Sequence, residues 1–357
     1  MKIGIASADY LRADKNPDGT EAWGGSGWAR IGQYIDYYRA AGHEVAVGVL
    51  WQRDGRFYIE CADMSVLEPD IIIMQRLMHD GIAATIKTAK AGGQVIINDL
   101  DDWYWGLDPS NLAFNASHPK NSPTENTNFY ASVLSSSSVL TVSTPYLAER
   151  MRNRVKCPIV VIPNYIDVNR FTPVQQSLGT PTFGWAGSTG HRSGDLETVA
   201  GVLRRPIMDK TINFQHSGAH QSGTPMHELL GVPKVSVATL PLTIAQNYPS
   251  LLNFDVGIVP LRDTPFNMAK SDIKGLEYAA SGIPFIAQDL PSYRQLHKDW
   301  NGAFWLADRP KGWVTGMKKM MDYSYRCERQ QEILELVQDR DIKYGAGEWL
   351  DFIESSQ

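Results

Sequence analysis

Three stretches of the sequence combine residues that favour an anionic ligand. The first is the glycine-rich run Gly24–Gly27, which precedes apolar residues at helical spacing and therefore predicts a helix start. Free backbone N–H groups and the helix dipole would attract a phosphate to this helix start, near Gly25. The G-x-G-x-x-G pattern of dinucleotide-binding folds is missing, so a flexible loop that leads into a helix is the alternative interpretation.

The second stretch, Gly187–Gly194, follows the predicted strand Thr182–Ala186. Its glycines could turn backbone N–H groups towards a phosphate, and His191 and Arg192 add positive charge beside them. Asp195 is the predicted N-cap of the next helix. The alternative is a surface loop in which the glycines serve only the turn.

The third stretch is Asn267–Gly282, which we predict to be one helix ended by its glycine. Lys270, Lys274 and Glu277 have the spacing i, i+4 and i+7, so they would share one face. Lysines suit the phosphates of a nucleotide, and a carboxylate suits ribose hydroxyls. An exposed face of salt bridges would have the same spacing and is the alternative.

An acidic run follows the predicted strand Gln94–Asn98. Ligands of open parallel sheets bind beyond the carboxyl ends of the strands, so Asp99 is expected to face a binding cleft. Asp99 and Asp101 form an Asp-x-Asp pair that could clamp a divalent metal on a diphosphate, or the acidic run with Asp102 could simply cap and solubilise a loop. Trp103 could stack on a sugar or belong to the core.

The elements that must position these residues form two similar halves. Short runs that are apolar throughout alternate with helical patterns, which is typical of parallel strands covered by helices on both faces. In the first half the predicted strands are Lys2–Ala6, Glu44–Val49, Asp70–Gln75, Gln94–Asn98, Val139–Ser143 and Ile159–Ile162. In the second half they are Thr182–Ala186, Ile212–His216, Val235–Thr239, Val256–Val259, Pro284–Ala287 and Ala303–Leu306. The prediction is an α/β protein of two doubly wound parallel-sheet domains.

The polar stretch Asn164–Pro181 separates the halves, because proline and glycine interrupt it and it has no helical or strand period. We predict an N-terminal domain over residues 1–170 and a C-terminal domain over 171–330. Residues 331–357 are predicted to be helical and to pack back towards the first domain.

Composition narrows the functional class. The 34 Lys and Arg residues against 39 Asp and Glu residues give a net charge of −5, so no basic excess favours nucleic acid. The longest apolar runs have strand length, which predicts no membrane span, and no signal-peptide pattern is present, which predicts a cytoplasmic protein. Cys61, Cys157 and Cys327 lack the spacing of a disulfide framework or a zinc site.

The motifs together resemble a known family. The junction VIPNYIDVNRFTP (Val161–Pro173), the glycine-rich helix start, and KGLEYAASGIPFIA (Lys274–Ala287) are similar to landmarks of the GT-B glycosyltransferases, most closely family four. The resemblance covers nearly the whole chain. It implies two Rossmann-like domains that face each other across a cleft, where a nucleotide-sugar donor binds and reacts.

The resemblance also implies roles for individual residues. Glu277 resembles the carboxylate that holds the donor ribose, and Asp99 occupies the position of a histidine that faces the reacting centre. Many members have a second glutamate where this chain has Ala269, so Asn267 or backbone amides would replace it. The other donor-binding residues implied or proposed are Gly25, Gly187, Ser188, His191, Arg192, Lys270, Ser271 and Lys274.

The expected activity is transfer of a hexose from a UDP- or GDP-sugar to an acceptor hydroxyl, with retention of configuration. No cofactor or metal is expected, since Arg192, Lys270 and helix N-termini would stabilise the departing diphosphate and Asp99 would lie near the acceptor. Asp101, Asp102 and Trp103 would lie on the acceptor side. A nucleotide-sugar 2-epimerase of the same architecture and a non-catalytic two-domain sugar-binding protein are the alternatives.

Overall fold

Two six-stranded parallel sheets organise the chain. The computed structural model describes residues 1–15, 21–77, 80–111, 113–118, 132–191, 194–220 and 223–356. In the first half of the chain the strands are β1 (Lys2–Ser7), β2 (Tyr10–Lys15), β3 (Glu21–Trp23), β4 (Glu44–Val47), β5 (Val49–Arg53), β6 (Arg56–Glu60), β7 (Val66–Leu67), β8 (Ile71–Gln75), β9 (Val95–Leu100), β10 (Val139–Val142) and β11 (Ile159–Val161). In the second half they are β12 (Thr182–Ala186), β13 (Asn213–Ala219), β14 (Ala238–Pro241), β15 (Val256–Val259), β16 (Phe285–Gln288) and β17 (Trp305–Ala307).

Helices cover both sheets. They are α1 (Gly25–Arg30), α2 (Ile35–Ala40), α3 (Asp80–Ala91), α4 (Phe114–Ser117), α5 (Pro145–Met151), α6 (Glu197–Met208), α7 (Met226–Leu230), α8 (Pro265–Met268), α9 (Ile273–Ala280), α10 (Pro291–Asp299), α11 (Pro310–Met320), α12 (Tyr323–Leu336) and α13 (Ile342–Ser355). Within the described part of the chain, none of them is long and apolar enough to cross a membrane.

The strand orders make each sheet doubly wound. The first sheet has the order β11-β10-β9-β8-β1-β4 and the second the order β14-β13-β12-β15-β16-β17. The second order is that of a Rossmann fold, and in both sheets the winding reverses beside the first strand. Since such a reversal opens a crevice at the carboxyl ends, each domain offers one edge to a ligand.

The predicted fold class is confirmed, and each strand predicted for the two sheets is present near its predicted position. Two small antiparallel sheets, β2 with β3 and β5 with β6 and β7, were not predicted. One predicted strand ran to Val49, whereas the chain leaves the first sheet at Gly48 and pairs β5 with β6 instead.

The C-terminal helices connect the two domains. Ile333 of α12 is fully buried in a cluster with Leu276 and other residues of the second domain. Trp349 of α13 is fully buried in a cluster of the first domain and lies 6.2 Å from the ring of Tyr34. The chain therefore crosses back between these two helices. The domain boundaries themselves stay predictions.

Candidate active site

A cleft of about 770 Å³ lies between the two domains. Its first-domain wall includes Gly25, Ser26, Asp101 and Asp102, and its second-domain wall includes Lys270, Ser271, Lys274 and Glu277. The segment between the domains contributes Asn164 and Arg170. The cleft therefore brings together residues from three separate stretches of the sequence that were predicted to bind a donor or an acceptor.

The glycine-rich helix start is present, but a side chain already occupies part of it. Helix α1 begins at Gly25, as predicted, and the N–H of Gly27 donates to Oδ2 of Asp9 at 2.9 Å. A Cβ on Gly27 would lie 2.6 Å from Cβ of Asp9, whereas one on Gly25 would meet no atom within 4 Å. Open space for a ligand therefore lies at Gly25, and the first turn is already neutralised by Asp9.

The loop after β12 needs its first glycine for the backbone. Gly187 has φ +147, a value that side chains disfavour, and its N–H donates to the carbonyl of Ser217 at 2.7 Å. Nε2 of His216 lies 2.9 Å from the Gly187 carbonyl, and burial lowers the pKa of His216. Ser188 accepts a bond from the N–H of Gly190. These contacts fix the turn.

Two predicted residues of this loop cannot be placed. Arg192 lies outside the described residues, and the side chain of His191 is likewise not described. Their proposed contacts with a diphosphate stay predictions from the resemblance.

The helix predicted over Asn267–Gly282 is in fact two helices, α8 and α9, separated by an irregular turn. Thr264 caps α8 by accepting from the N–H of Asn267, and Pro265 follows at the first helical position. Lys270 and Ser271 lie in the turn, so their backbone is not committed to a helix. Both residues therefore line the cleft from a turn rather than from a helix face.

Lys270 pairs with the opposite wall of the cleft. Its Nζ lies 3.0 Å from Oδ1 of Asp102 and 4.3 Å from the centre of the Phe266 ring. Both charged side chains are partly buried, at 17% and 25% exposure. The Asp102 carboxylate of the first domain thus pairs with Lys270, the cation that was predicted to bind a phosphate.

Lys274 and Glu277 form the second ion pair of this wall. Nζ of Lys274 donates to Oε2 of Glu277 at 3.1 Å and to the hydroxyl of Tyr248. The side chains of Lys274 and Glu277 are 16% and 18% exposed and line the cleft. They therefore do not form the solvent-exposed face of salt bridges that was the alternative interpretation.

Asp99 does not face the cleft, and this expectation is wrong. Strand β9 continues to Leu100, so Asp99 is still a strand residue, and its side chain is fully buried. Nη2 of Arg30 donates to Oδ1 at 2.7 Å, Nε of Arg30 donates to Oδ2 at 3.1 Å, and the hydroxyl of Thr141 donates to Oδ1 at 2.8 Å. Both oxygens are occupied, so Asp99 cannot share a metal with Asp101 in this arrangement.

Asp101 is the first residue of the acidic run that lines the cleft. The Ser26 hydroxyl donates to its Oδ2, while its Oδ1 is buried and has no hydrogen-bond partner among the described residues. Burial, followed by the charge of Asp102, raises the pKa of Asp101 to about 6, although Arg76 opposes the shift. Asp101 thus lines the cleft and has one buried carboxylate oxygen that lacks a hydrogen-bond donor among the described residues.

Two further predicted residues have structural contacts instead. Trp103 is 5% exposed, packs in a core cluster and lies under the guanidinium of Arg150 at 4.0 Å, so the core interpretation holds. Asn267 is buried, and its amide donates to Oδ1 of Asp195 at 2.7 Å. Asp195 therefore supports α8. It does not cap α6, so the prediction that it is the N-cap of that helix is wrong.

Sequence reasoning missed Arg170 and Asn164 as cleft residues. The guanidinium of Arg170 lies 4.8 Å from the centre of the Trp28 ring and donates to the backbone of Gln246, joining the two domains. Both missed residues lie inside the quoted junction motif. That motif was the available signal, but their partners are far away in sequence and no spacing rule identifies them.

Comparison with known proteins agrees with this architecture. No family model matches the chain. A segment of 122 residues, 34% of this chain, is 27% identical to the putative teichuronic acid biosynthesis glycosyltransferase TuaH of Bacillus subtilis, and it spans only 30% of that protein.

Solved structures match along the whole length. Sucrose-phosphate synthase from Thermosynechococcus elongatus aligns with a TM-score of 0.67 at 12% identity, covering 99% of this chain and 98% of that one. Anabaena HepE in complex with UDP and glucose aligns with a TM-score of 0.65 at 12% identity, covering 99% and 100%. The chain has the GT-B fold of glycosyltransferases.

The buried ion pair between Arg30 and Asp99 in the first domain gives a first prediction. Asp99→Asn removes the charge that compensates Arg30, which is 1% exposed, so we expect a loss of about 3–5 kcal/mol in the free energy of unfolding. Urea denaturation measures it. Asp36→Asn is the control, because Asp36 pairs with Arg39 in solvent and should change stability by less than about 0.5 kcal/mol. Equal, small effects would contradict the buried pair.

A second prediction concerns Asp101. Its folded-state pKa is raised to about 6, so the folded protein binds more protons than the unfolded chain between about pH 4 and 6. Stability therefore falls as the pH rises through that window, and the full cost, roughly 3 kcal/mol, applies above it. Asp101→Asn should be more stable than the wild type at pH 7.5, with a much smaller gain at pH 4.5. A gain that did not depend on pH would contradict this account.

Proposed function

We propose that this protein is a glycosyltransferase that transfers a hexose from a nucleotide diphosphate sugar to an acceptor hydroxyl. The observation that carries the proposal is the cleft, with lysines and Glu277 on the second-domain wall and Asp101 and Asp102 opposite them. The GT-B fold, the similarity to TuaH over a third of the chain, and the UDP and glucose bound by HepE all support it.

The donor would bind to the second domain. Glu277 would accept hydrogen bonds from ribose hydroxyls, and Tyr248 and Lys274, which touch each other beside it, would flank the nucleoside. Lys270 would exchange Asp102 for a diphosphate oxygen. The exchange replaces one anion by another of higher charge, so the lysine remains neutralised throughout.

The acceptor would bind against the first domain. An acceptor hydroxyl would donate to Asp101 and thereby be held beside the reacting carbon of the donor. The unpartnered oxygen of Asp101 is buried and would have to turn towards the cleft to accept this hydrogen. Asp102, released from Lys270, would lie next to it. Retention of configuration is part of this proposal and rests on the family resemblance.

Stabilisation of the leaving diphosphate would not need a metal ion or a cofactor. Lys270 lies in the cleft, and Arg192 is the further cation that the resemblance assigns to this step. Positive side chains fixed beside the departing oxygens stabilise the charge that develops there, which is the electrostatic contribution that such transfers require.

The test is mass spectrometry of the purified protein with UDP-, GDP- and dTDP-sugars and a mixture of candidate acceptors, with and without excess EDTA. We expect one donor to lose its sugar to an acceptor at a rate that EDTA leaves unchanged. Activity lost in EDTA and restored by Mn²⁺ or Mg²⁺ would contradict metal independence. A donor converted to an isomer without any acceptor would indicate a 2-epimerase, and sugar binding without any nucleotide requirement would indicate a binding protein.

A third prediction isolates the donor site. Glu277→Gln should weaken binding of the preferred nucleoside diphosphate by about ten- to hundredfold, since a hydrogen bond to a charged group contributes roughly 1.5–3 kcal/mol. Isothermal titration calorimetry measures it. The control is Glu228→Gln, whose carboxylate is 60% exposed and lies outside the cleft lining. Unchanged affinity in a folded Glu277→Gln variant would remove this residue from the site.

A further inference from the structure

Asn164 connects the first domain to the second-domain wall of the cleft through both ends of its amide. Asn164 is only 4% exposed. Its Oδ1 accepts from Nη1 of Arg30 at 2.9 Å, and its Nδ2 donates to Oγ of Ser271 at 2.7 Å. Its backbone carbonyl accepts from Arg340, which also pairs with Asp272 at 2.9 Å. Asn164 is therefore held by Arg30 at its side chain and by Arg340 at its backbone, and Arg340 also holds Asp272, the residue after Ser271.

The chemistry of Arg30 decides which way the amide points. A guanidinium only donates hydrogen bonds, so the group facing it must be the amide oxygen. Arg30 itself cannot rotate away, because Asp99 holds it by two further bonds inside the first domain. The NH₂ group of Asn164 must consequently face Ser271.

This orientation fixes the role of the Ser271 hydroxyl. The oxygen accepts from Asn164, and among the described residues no group accepts the hydroxyl hydrogen. Ser271 lines the cleft next to Lys270, in the turn between α8 and α9. The free hydrogen is therefore available to the cleft, where an anionic oxygen is the partner it suits best.

We propose that Asn164, oriented by the Arg30–Asp99 pair, is a positioning residue that keeps the Ser271 hydroxyl as a hydrogen-bond donor to the diphosphate of the donor. The inference rests on the proposed function and adds to it a specific contact and its cause. Asn164 does not touch the ligand in this account. It acts through Ser271, by preventing that hydroxyl from turning its hydrogen back into the protein.

Asn164→Asp is the sharpest variant, since it keeps the size and shape of the side chain and its contact with Arg30. A carboxylate cannot donate, so it would accept the hydrogen of Ser271 and remove that donor from the cleft. Ser271→Ala removes the same donor directly, and Ser271→Thr retains it. These three variants and the double variant Asn164→Asp with Ser271→Ala form a double-mutant cycle with a rescue control.

The measurement is calorimetric affinity for UDP, GDP, dTDP and ADP, continued with the one the wild type binds most tightly, and for its nucleoside without phosphates. We expect Ser271→Ala to weaken diphosphate binding about tenfold, Asn164→Asp to weaken it at least as much, and Ser271→Thr to stay within about threefold. The double variant should bind at least about fivefold more tightly than the product of the two single losses predicts. Affinity for the nucleoside should change less than twofold in every variant that remains folded by circular dichroism.

Several outcomes would overturn the inference. Full affinity in Ser271→Ala would show that the hydroxyl does not contact the diphosphate. Additive losses in the double variant would show that Asn164→Asp acts by charge repulsion and independently of Ser271, and equal losses for the nucleoside would indicate a general distortion. A wild type that binds none of the four diphosphates would instead refute the proposed function, and the inference would fail with it.

Discussion

The ion pair between Arg30 and Asp99 determines how the first domain meets the cleft. A buried pair of this kind adds little net stability, because the loss of hydration offsets most of the attraction between the charges. Its value here is geometric. Asp99 fixes Arg30 at the end of α1, and the remaining guanidinium hydrogens reach the carbonyl of Ile162 and the amide of Asn164. Helix α1, strand β9 and the segment that leaves the domain are thereby locked together.

The same segment carries the mechanical connection between the domains. Ile166 forms backbone hydrogen bonds with Arg340 and Ile342, so the two passages of the chain between the domains run side by side. Across the cleft the domains meet through side chains, namely Lys270 with Asp102 and Arg170 with Trp28. Side-chain contacts of this kind can exchange partners without unfolding backbone structure. Domain closure over a ligand would therefore pivot at the paired passages and change these side-chain contacts.

The sequence predicted the fold well because the signals for parallel strands are local. Each buried strand is a short continuous apolar run, and its position can be read without knowing any partner. The site was predicted less well where partners are distant. Asp99 looked like a residue beyond its strand, since a charged side chain rarely continues a buried strand, and its partner lies 69 positions away. The turn between α8 and α9 was likewise hidden, because Asp195 and Arg340 support it from other elements.

The balance of charge at this edge of the first domain explains why Asp101 differs from its neighbours. Two arginines lie here, Arg30 fully buried and Arg76 partly buried, and each already has a carboxylate: Arg30 has Asp99, and Arg76 has Asp9. Asp101 has only the Ser26 hydroxyl on one oxygen, and burial together with Asp102 raises its pKa. An uncompensated carboxylate lowers stability, and such residues concentrate at functional sites. Among the described residues of this edge, Asp101 therefore combines a missing hydrogen-bond donor with a place in the cleft lining, and this combination is the reason for assigning it to the acceptor side of the proposed reaction.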